Sequence, residues 1–168
     1  MDQEKILTQI ATILTHEQLM LATAESCTGG GLSFRLTSVP GSSVWFDRGF
    51  VCYSNEAKCA MLGVNPLTLE SFGAVSESTV REMAEGALEH STADFSIAIT
   101  GIAGPGGGSA ANPVGTVWMA IAQRDFATQV HLLQLSGNRT EIRDKTIKIA
   151  LEKLVELLPT KAEKTPTI

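Results

Sequence analysis

The feature of this chain that most constrains its fold is a junction at residues 23–31, TAESCTGGG, where a short apolar run passes through Ser26 and Cys27 into three consecutive glycines. Glycine tolerates positive φ, so a strand can turn sharply there into a helix. Such a turn places backbone N–H groups and nucleophilic side chains at one point, suited to holding an anion and attacking a carbonyl carbon. On the glycines alone, a tight packing turn without further function is an equally good interpretation.

The segments around this junction alternate between two hydrophobic periods. Short apolar runs at 19–24, 46–54 and 94–100 predict strands, the second of them ending at Tyr53, and 116–123 with 128–135 predict an antiparallel hairpin. Helical spacing and capping residues predict six helical segments. The first three lie at 3–17, directly after the glycines, and from Asn55 as N-cap to Gly63; in the second of these, Leu32, Leu36 and Val39 share one face. The other three lie near 66–71, after Ser76, and at 139–158, where Ile142, Ile149, Leu154 and Leu157 are expected to face inward.

This order of elements predicts the α/β class, as a three-layer α/β/α sandwich around a mixed sheet of about five strands. A chain of 168 residues suits a single domain, which we assign to residues 1–158, with a disordered tail at 159–168. Ligands of such folds bind at the carboxyl ends of the parallel strands. Residues 25–31, 53–58 and 100–108 are all expected there.

Composition and charge exclude several classes of function. The formal charge is −5, aromatic residues are 5%, and the basic residues form no long run, so we expect no nucleic-acid partner. The first twenty residues lack the apolar stretch of a signal peptide or membrane span, and the three cysteines contain no CxxC pair, which predicts a cytoplasmic protein with reduced thiols and no membrane partner. Acidic residues and histidines are dispersed, so we expect no metal and no cofactor.

Two nucleophiles, Ser26 and Cys27, stand at the turn. A catalytic cysteine usually needs a nearby histidine, and the three histidines fall in elements where they look structural. Ser26 can instead be activated by a lysine whose amine has lost its proton because of burial. Lys58, in the first turns of a helix that follows a strand, is the candidate base, and Tyr53 is the candidate hydrogen-bonding partner.

Other polar groups at the same edge are candidate substrate contacts. Arg139 and Arg143, four residues apart, could grip a phosphate or carboxylate, or could pair with Glu141 or Asp144 on the surface. The predicted substrate-binding residues are Thr28, Gly29, Gly30, Thr100, Gly101, Gly104, Arg139 and Arg143.

Five sequence blocks, in their order and spacing, closely resemble the C-terminal domain family of the competence/damage-inducible protein CinA. They are TAESCTGG, VCYSNEAKCAMLGV, GAVSESTVREMAEGAL, AITGIAGPGGG with NPVGTVW, and GNRTEIRDKT. The resemblance covers roughly residues 5–158. This chain has GGG where many relatives have GG and a larger apolar residue, and Asn138 where an aspartate is common.

The resemblance implies an amidohydrolase that converts nicotinamide mononucleotide to nicotinic acid mononucleotide and ammonia in pyridine-nucleotide recycling. It also implies Ser26 as nucleophile, Lys58 as base, Tyr53 as its partner, and Thr100 and Arg139 as substrate contacts. Two alternatives stay open: a non-catalytic nucleotide-binding or regulatory module, and an amidase for another carboxamide. An unpaired strand edge in the hairpin makes a homodimer a further expectation.

Overall fold

The computed structural model describes residues 2–159, which form six α-helices and five strands. Their bounds are α1 Gln3–Glu17, β1 Leu21–Glu25, α2 Gly31–Thr37, β2 Phe46–Val51, α3 Asn55–Leu62, α4 Pro66–Phe72, α5 Glu77–Glu89, β3 Phe95–Gly101, β4 Thr116–Gln123, β5 Gln129–Gln134 and α6 Arg139–Leu157. The predicted tail, 159–168, lies outside the described residues except for Pro159.

The five strands form one mixed sheet in the order β2-β1-β3-β4-β5. Strand β1 is central to the site because it runs parallel to both β2 and β3, whereas β4 and β5 are antiparallel to their neighbours. The carboxyl ends of β1, β2 and β3 therefore meet at one edge of the sheet. The predicted mixed sheet and its terminal hairpin are confirmed.

Helices cover both faces of the sheet and create two hydrophobic cores. Buried residues of α1, α2 and α6 pack on one face, and buried residues of α3 and α5 pack on the other. Because β1 and β3 are covered on both faces, nearly all of their side chains are buried. The predicted α/β/α sandwich is confirmed. No helix within residues 2–159 has the length and apolar run needed to cross a membrane.

The end of β2 differs from the prediction. The strand ends at Val51 rather than Tyr53, and Ser54 rather than Asn55 caps α3, its side chain accepting from Ala57 N. The reason lies outside the segment, because the carbonyl groups of Cys52 and Tyr53 turn toward the Lys58 amine instead of continuing the sheet ladder. Strand periodicity alone carries no sign of that tertiary contact.

The inward face of α6 was also predicted incorrectly in part. Ile142 and Leu154 are buried, but Ile149 and Leu157 are only half-buried at the flank. The buried stripe consists of Ile142, Thr146, Ile147, Ala150, Leu151 and Leu154. Helix α6 contacts α1, α2 and β4 at once, so the position of these neighbours selects the buried side among several apolar ones.

Gly86 allows α5 to approach α3 closely, and replacing it should destabilise the protein. A Cβ at this position would overlap the carbonyl oxygen of Leu62 in α3. An exposed helical Gly→Ala change normally stabilises by about 1 kcal/mol. Here overpacking makes the same change destabilising. We expect Gly86→Ala to lower the free energy of unfolding by about 2 kcal/mol and Tm by about 4–8 °C. Calorimetry tests this against Gly106→Ala, where an added Cβ would meet no atom within 4 Å beyond the neighbouring residues. An unchanged Tm for Gly86→Ala would contradict the prediction.

Candidate active site

The candidate site lies where the carboxyl ends of the three parallel strands meet. Ser26 directly follows β1, Tyr53 follows β2, and the glycine-rich loop 102–115 follows β3. Two main-chain hydrogen bonds extend the sheet to this edge: Ser26 N donates to Ile99 O, and Cys52 N donates to Glu25 O, both at 2.9 Å. The backbone of Ser26 is therefore held between both neighbouring strands.

The structure brings Ser26 and Lys58 together, as the sequence predicted. Nζ of Lys58 lies 3.1 Å from Ser26 Oγ and 3.1 Å from each of the carbonyl oxygens of Cys52 and Tyr53. Lys58 is only 1% exposed and Ser26 8%. The amine is thus removed from water and directed at the serine hydroxyl.

Burial lowers the pKa of Lys58 from its ordinary value, because a charged ammonium is disfavoured away from water. The salt bridges among residues 2–159 include no carboxylate paired with this amine. A neutral amine has two hydrogens and one lone pair. Since carbonyl oxygens only accept, the hydrogens suit Cys52 and Tyr53, and the lone pair is left for the proton of Ser26.

Cys27 is adjacent in sequence but unsuited to the role of nucleophile. Desolvation raises the pKa of its thiol to about 11, so the reactive thiolate is scarce near neutral pH. The described histidines also lie elsewhere: His16 is in α1, His90 follows α5, and His131 is in β5. The sequence favoured Ser26 over Cys27 as the nucleophile, and the raised pKa of the Cys27 thiol supports the same choice.

Tyr53 is at the site, but its contact with Lys58 differs from the predicted one. The main-chain carbonyl, not the phenol, accepts from Lys58. The side chain is 60% exposed, and its hydroxyl accepts a hydrogen bond from Arg139 Nη2 at 3.2 Å. The sequence could indicate a nearby tyrosine, but not which of its polar groups would face the amine.

The two arginines of α6 face the site rather than forming the predicted alternative surface pairs. Besides Tyr53, Arg139 donates from Nη1 to Gly104 O at 2.8 Å, so it joins the loop after β3 to the corner after β2. Arg143 donates from Nη2 to Thr28 O at 3.1 Å. Glu141 is engaged instead in a capping box with Asn138.

The glycine turn is not the open anion site that the sequence suggested. The carboxylate of Glu25 is fully buried and accepts from Leu32 N at 2.7 Å and from Ser33 N at 3.0 Å. The first N–H groups of α2 are therefore occupied by the chain's own carboxylate. Of the predicted contacts here, Gly29 N donates to Ser26 O, and the buried Thr28 Oγ1 has no partner among the described residues. Gly30 N donates to no main-chain carbonyl of residues 2–159.

The predicted substrate contacts on β3 and in the loop after it have partners within the protein. Thr100 is 1% exposed, and its hydroxyl donates to Ala74 O at 2.9 Å, so it anchors the loop before α5. Gly101 pairs with Val117, whose side chain would overlap a Cβ at this position. Gly104 presents its carbonyl to Arg139. A direct substrate contact from these residues stays a prediction.

Glu25 and Cys52 are parts of the site that sequence reasoning missed. Cys52 contributes a carbonyl to Lys58, and Glu25 secures the turn that carries Ser26. A signal existed for Glu25, since a carboxylate in an otherwise apolar strand requires buried partners. For Cys52 the relevant group is the main-chain carbonyl, which every residue has.

Two cavities help to locate space for a ligand. One of about 390 Å³ lies beside Arg139, between the loop after β3 and the start of α6. Another of about 510 Å³ lies at the opposite end of the sheet, near Asp94 and Arg124, away from Ser26.

No group of three His, Cys, Asp or Glu within residues 2–159 could hold a metal ion. The absence of metal and cofactor remains an expectation.

Comparison with known sequences decides the family. The CinA C-terminal domain profile matches residues 3–158. The chain belongs to the CinA C-terminal domain family. Among its relatives, the nicotinamide-nucleotide amidohydrolase PncC of Escherichia coli strain K12 is 47% identical over 146 residues, which are 87% of this chain and 88% of that protein. A CinA-like protein of Chlorobaculum tepidum is 48% identical over 150 residues.

Not all relatives of this CinA C-terminal domain have its length. The chain spans 36% of the Chlorobaculum protein and between 34% and 36% of three other curated relatives. Among solved structures, the competence/damage inducible protein CihA of Agrobacterium tumefaciens superposes with a TM-score of 0.91 at 50% identity, covering 94% of this chain and 96% of that one. The CinA-type fold is therefore shared along nearly the whole chain.

Proposed function

We propose that this CinA C-terminal domain is an amidohydrolase that converts nicotinamide mononucleotide to nicotinic acid mononucleotide and ammonia. The observation that carries the proposal is the 3.1 Å approach of the buried Lys58 amine to Ser26 Oγ. A hydroxyl becomes a strong nucleophile only when a base takes its proton as it attacks. Lys58, with its lowered pKa, can act as that base.

The first half of the reaction forms an acyl-enzyme. Ser26 Oγ attacks the carboxamide carbon while its proton passes to Lys58 Nζ, and the carbonyl oxygen becomes an oxyanion. The backbone N–H groups of Cys27 and Thr28, which donate to no main-chain carbonyl within residues 2–159, are the candidate donors to that oxyanion. Lys58 then returns the proton to the leaving nitrogen, the C–N bond breaks, ammonia departs, and an ester to Ser26 remains.

The second half repeats the same proton transfers with water. A water molecule attacks the ester carbon and gives its proton to Lys58, which then protonates Ser26 Oγ as the C–O bond breaks. The products are the carboxylic acid and free enzyme. One base therefore serves both halves, and the carbonyl groups of Cys52 and Tyr53 keep its amine in place between them.

The nucleotide part of the substrate is supported by the arginines and by the relatives. Arg139 lies beside a cavity of about 390 Å³, and the N–H groups that it does not donate to Gly104 and Tyr53 suit a phosphate. The Escherichia coli relative that matches along most of this chain is named for the amide of a nicotinamide nucleotide. We therefore propose Arg139, with Arg143 next along the helix, as the phosphate-side contacts.

An ammonia assay on the purified protein tests the proposed function. Nicotinamide mononucleotide should release ammonia and yield nicotinic acid mononucleotide in equal amounts, whereas nicotinamide riboside, which lacks the phosphate, and free nicotinamide should react much more slowly. Release from a different carboxamide alone would favour another amidase. Calorimetric binding of the nucleotide without any turnover would favour the regulatory module.

The remaining properties follow from the sequence and are proposed with the function. We propose a cytoplasmic protein with a small-molecule nucleotide substrate, no membrane partner and no nucleic-acid partner. The exposed edge of β5, where Leu132 is half-exposed, supports the expected homodimer.

A further inference from the structure

Glu25 is a fully buried carboxylate that the proposed reaction does not use directly. It precedes Ser26 in the chain, and its side chain lies toward α2, on the sheet face opposite Lys58. Its Oε1 accepts from Leu32 N, and its Oε2 accepts from Ser33 N and from Ser33 Oγ at 2.7 Å. Both oxygens are therefore occupied by donors of one short helix.

Helix α2 depends on this carboxylate because it has no cap of its own. It spans only seven residues, and its N-cap, Gly30, has no side chain to accept a hydrogen bond. The first N–H groups of a helix lack intrahelical partners and need acceptors when they are buried. Glu25 supplies those acceptors from the neighbouring strand, and thereby ties the end of the glycine turn to β1.

The turn between Ser26 and α2 is consequently held at defined points. Gly29 N donates to Ser26 O and Gly31 N donates to Thr28 O, while Glu25 holds the two N–H groups that follow. Within residues 2–159, the N–H groups of Cys27 and Thr28 donate to no main-chain carbonyl. They follow the nucleophile directly, which is where acyl-transfer enzymes commonly place an oxyanion donor.

We propose that Glu25 is a positioning residue that holds the N–H groups after Ser26 in place for the oxyanion by accepting from the N–H groups of Leu32 and Ser33. This inference rests on the proposed function. Glu25 exchanges no proton with the substrate. It keeps the turn rigid, so the donors need no rearrangement as charge develops on the carbonyl oxygen.

Glu25→Gln tests the proposal because glutamine is equal in size but has only one accepting oxygen. In either orientation of the amide, its NH₂ group would face the backbone N–H of Leu32 or of Ser33, and the start of α2 would shift. We expect kcat for ammonia release from nicotinamide mononucleotide to fall about 100-fold, as for a misplacement of about 1 Å, with KM unchanged. The rate at which a fluorophosphonate probe labels Ser26, located by mass spectrometry, should fall in parallel, because its addition also places charge near these N–H groups.

Two further variants separate positioning from stability. Ser33→Ala removes one donor but leaves both backbone N–H groups on the carboxylate, so its loss of kcat should be much smaller. Leu14→Ala, at a fully buried position of α1, lowers stability without touching the turn. After titration of active sites it should keep the parental kcat. If Glu25→Gln does not fold, Glu25→Asp, which keeps the charge but is one methylene shorter, should show the selective loss of kcat.

Each outcome decides the proposal. A parental kcat per active site in Glu25→Gln, or an unchanged labelling rate, would overturn the positioning role. A rise in KM with kcat unchanged would also overturn it. If the parental protein releases no ammonia from any amide but its Ser26 is still labelled, the proposed function fails while the labelling rates continue to test Glu25. If the parental protein neither releases ammonia nor is labelled at Ser26, both proposals fail. If it releases ammonia but is not labelled, kcat of the Glu25 variants decides the positioning role.

Discussion

Replacing Ser26 by alanine should abolish ammonia release from nicotinamide mononucleotide. Ser26 Oγ is the atom that would form the covalent bond, and Lys58 is the only base directed at it among the described residues. Loss of an activated serine nucleophile lowers kcat by roughly 10⁴-fold or more in serine hydrolases. Nucleotide binding should survive, because Arg139 and Arg143 are untouched. Turnover under single- and multiple-turnover conditions measures the loss, and calorimetry measures the retained binding.

The adjacent cysteine provides the matched control for Ser26→Ala. Cys27 is buried with the pKa of its thiol raised to about 11, so Cys27→Ala should keep most of the parental kcat. The two variants differ by one position and remove one heteroatom each. Parental ammonia release by Ser26→Ala would contradict the proposed reaction. A collapse of kcat in Cys27→Ala alone would assign the nucleophile to the thiol.

Lys58→Arg should be nearly as damaging, although it keeps the charge and the donors. A guanidinium cannot be deprotonated in a protein, so it cannot take the proton of Ser26. Loss of a positioned base lowers the rate by about 10²–10⁴-fold. The exposed Lys148 of α6 offers the same exchange away from the site, and Lys148→Arg should be silent.

The pH dependence of kcat/KM in the parental enzyme also tests Lys58 as the base. The free amine is the active form, so kcat/KM should rise with pH through the pKa of Lys58 in the free enzyme. Because burial lowers that pKa, the rise should be centred below 10.5, the ordinary value for lysine. The rising limb should be missing in Lys58→Arg. An identical limb in that variant would show that a different group is the base.

Much of the fold was predictable because local sequence and tertiary structure agree there. Ser76 caps α5, Gly63 ends α3, and the apolar stripe of α5 from Val80 to Leu88 is buried as its period predicted. Strand β3 and the hairpin of β4 and β5 appear within about a residue of their expected bounds. In these segments the hydrophobic period, the capping residues and the turn residues all favour the same structure.

The candidate site was predictable only in part. Ser26 and Lys58 could be paired from sequence because a parallel sheet brings the ends of its strands to one edge. The use of each polar group could not be predicted. Glu25 occupies the N–H groups assigned to an anion, Thr100 donates to Ala74, and Tyr53 meets Lys58 through its carbonyl.

By itself, the sequence determined the α/β class, the family, the order of the elements and the residues that reach the carboxyl edge of the sheet. Each of these follows from patterns that are local in the chain. Only the tertiary structure decided which hydrogen-bond donors remain free for a ligand. It also decided that Lys58 is buried, which lowers the pKa of its amine. Those properties depend on groups distant in sequence, such as Glu25 and the start of α2, because a buried polar group takes whichever partner the packing places within reach.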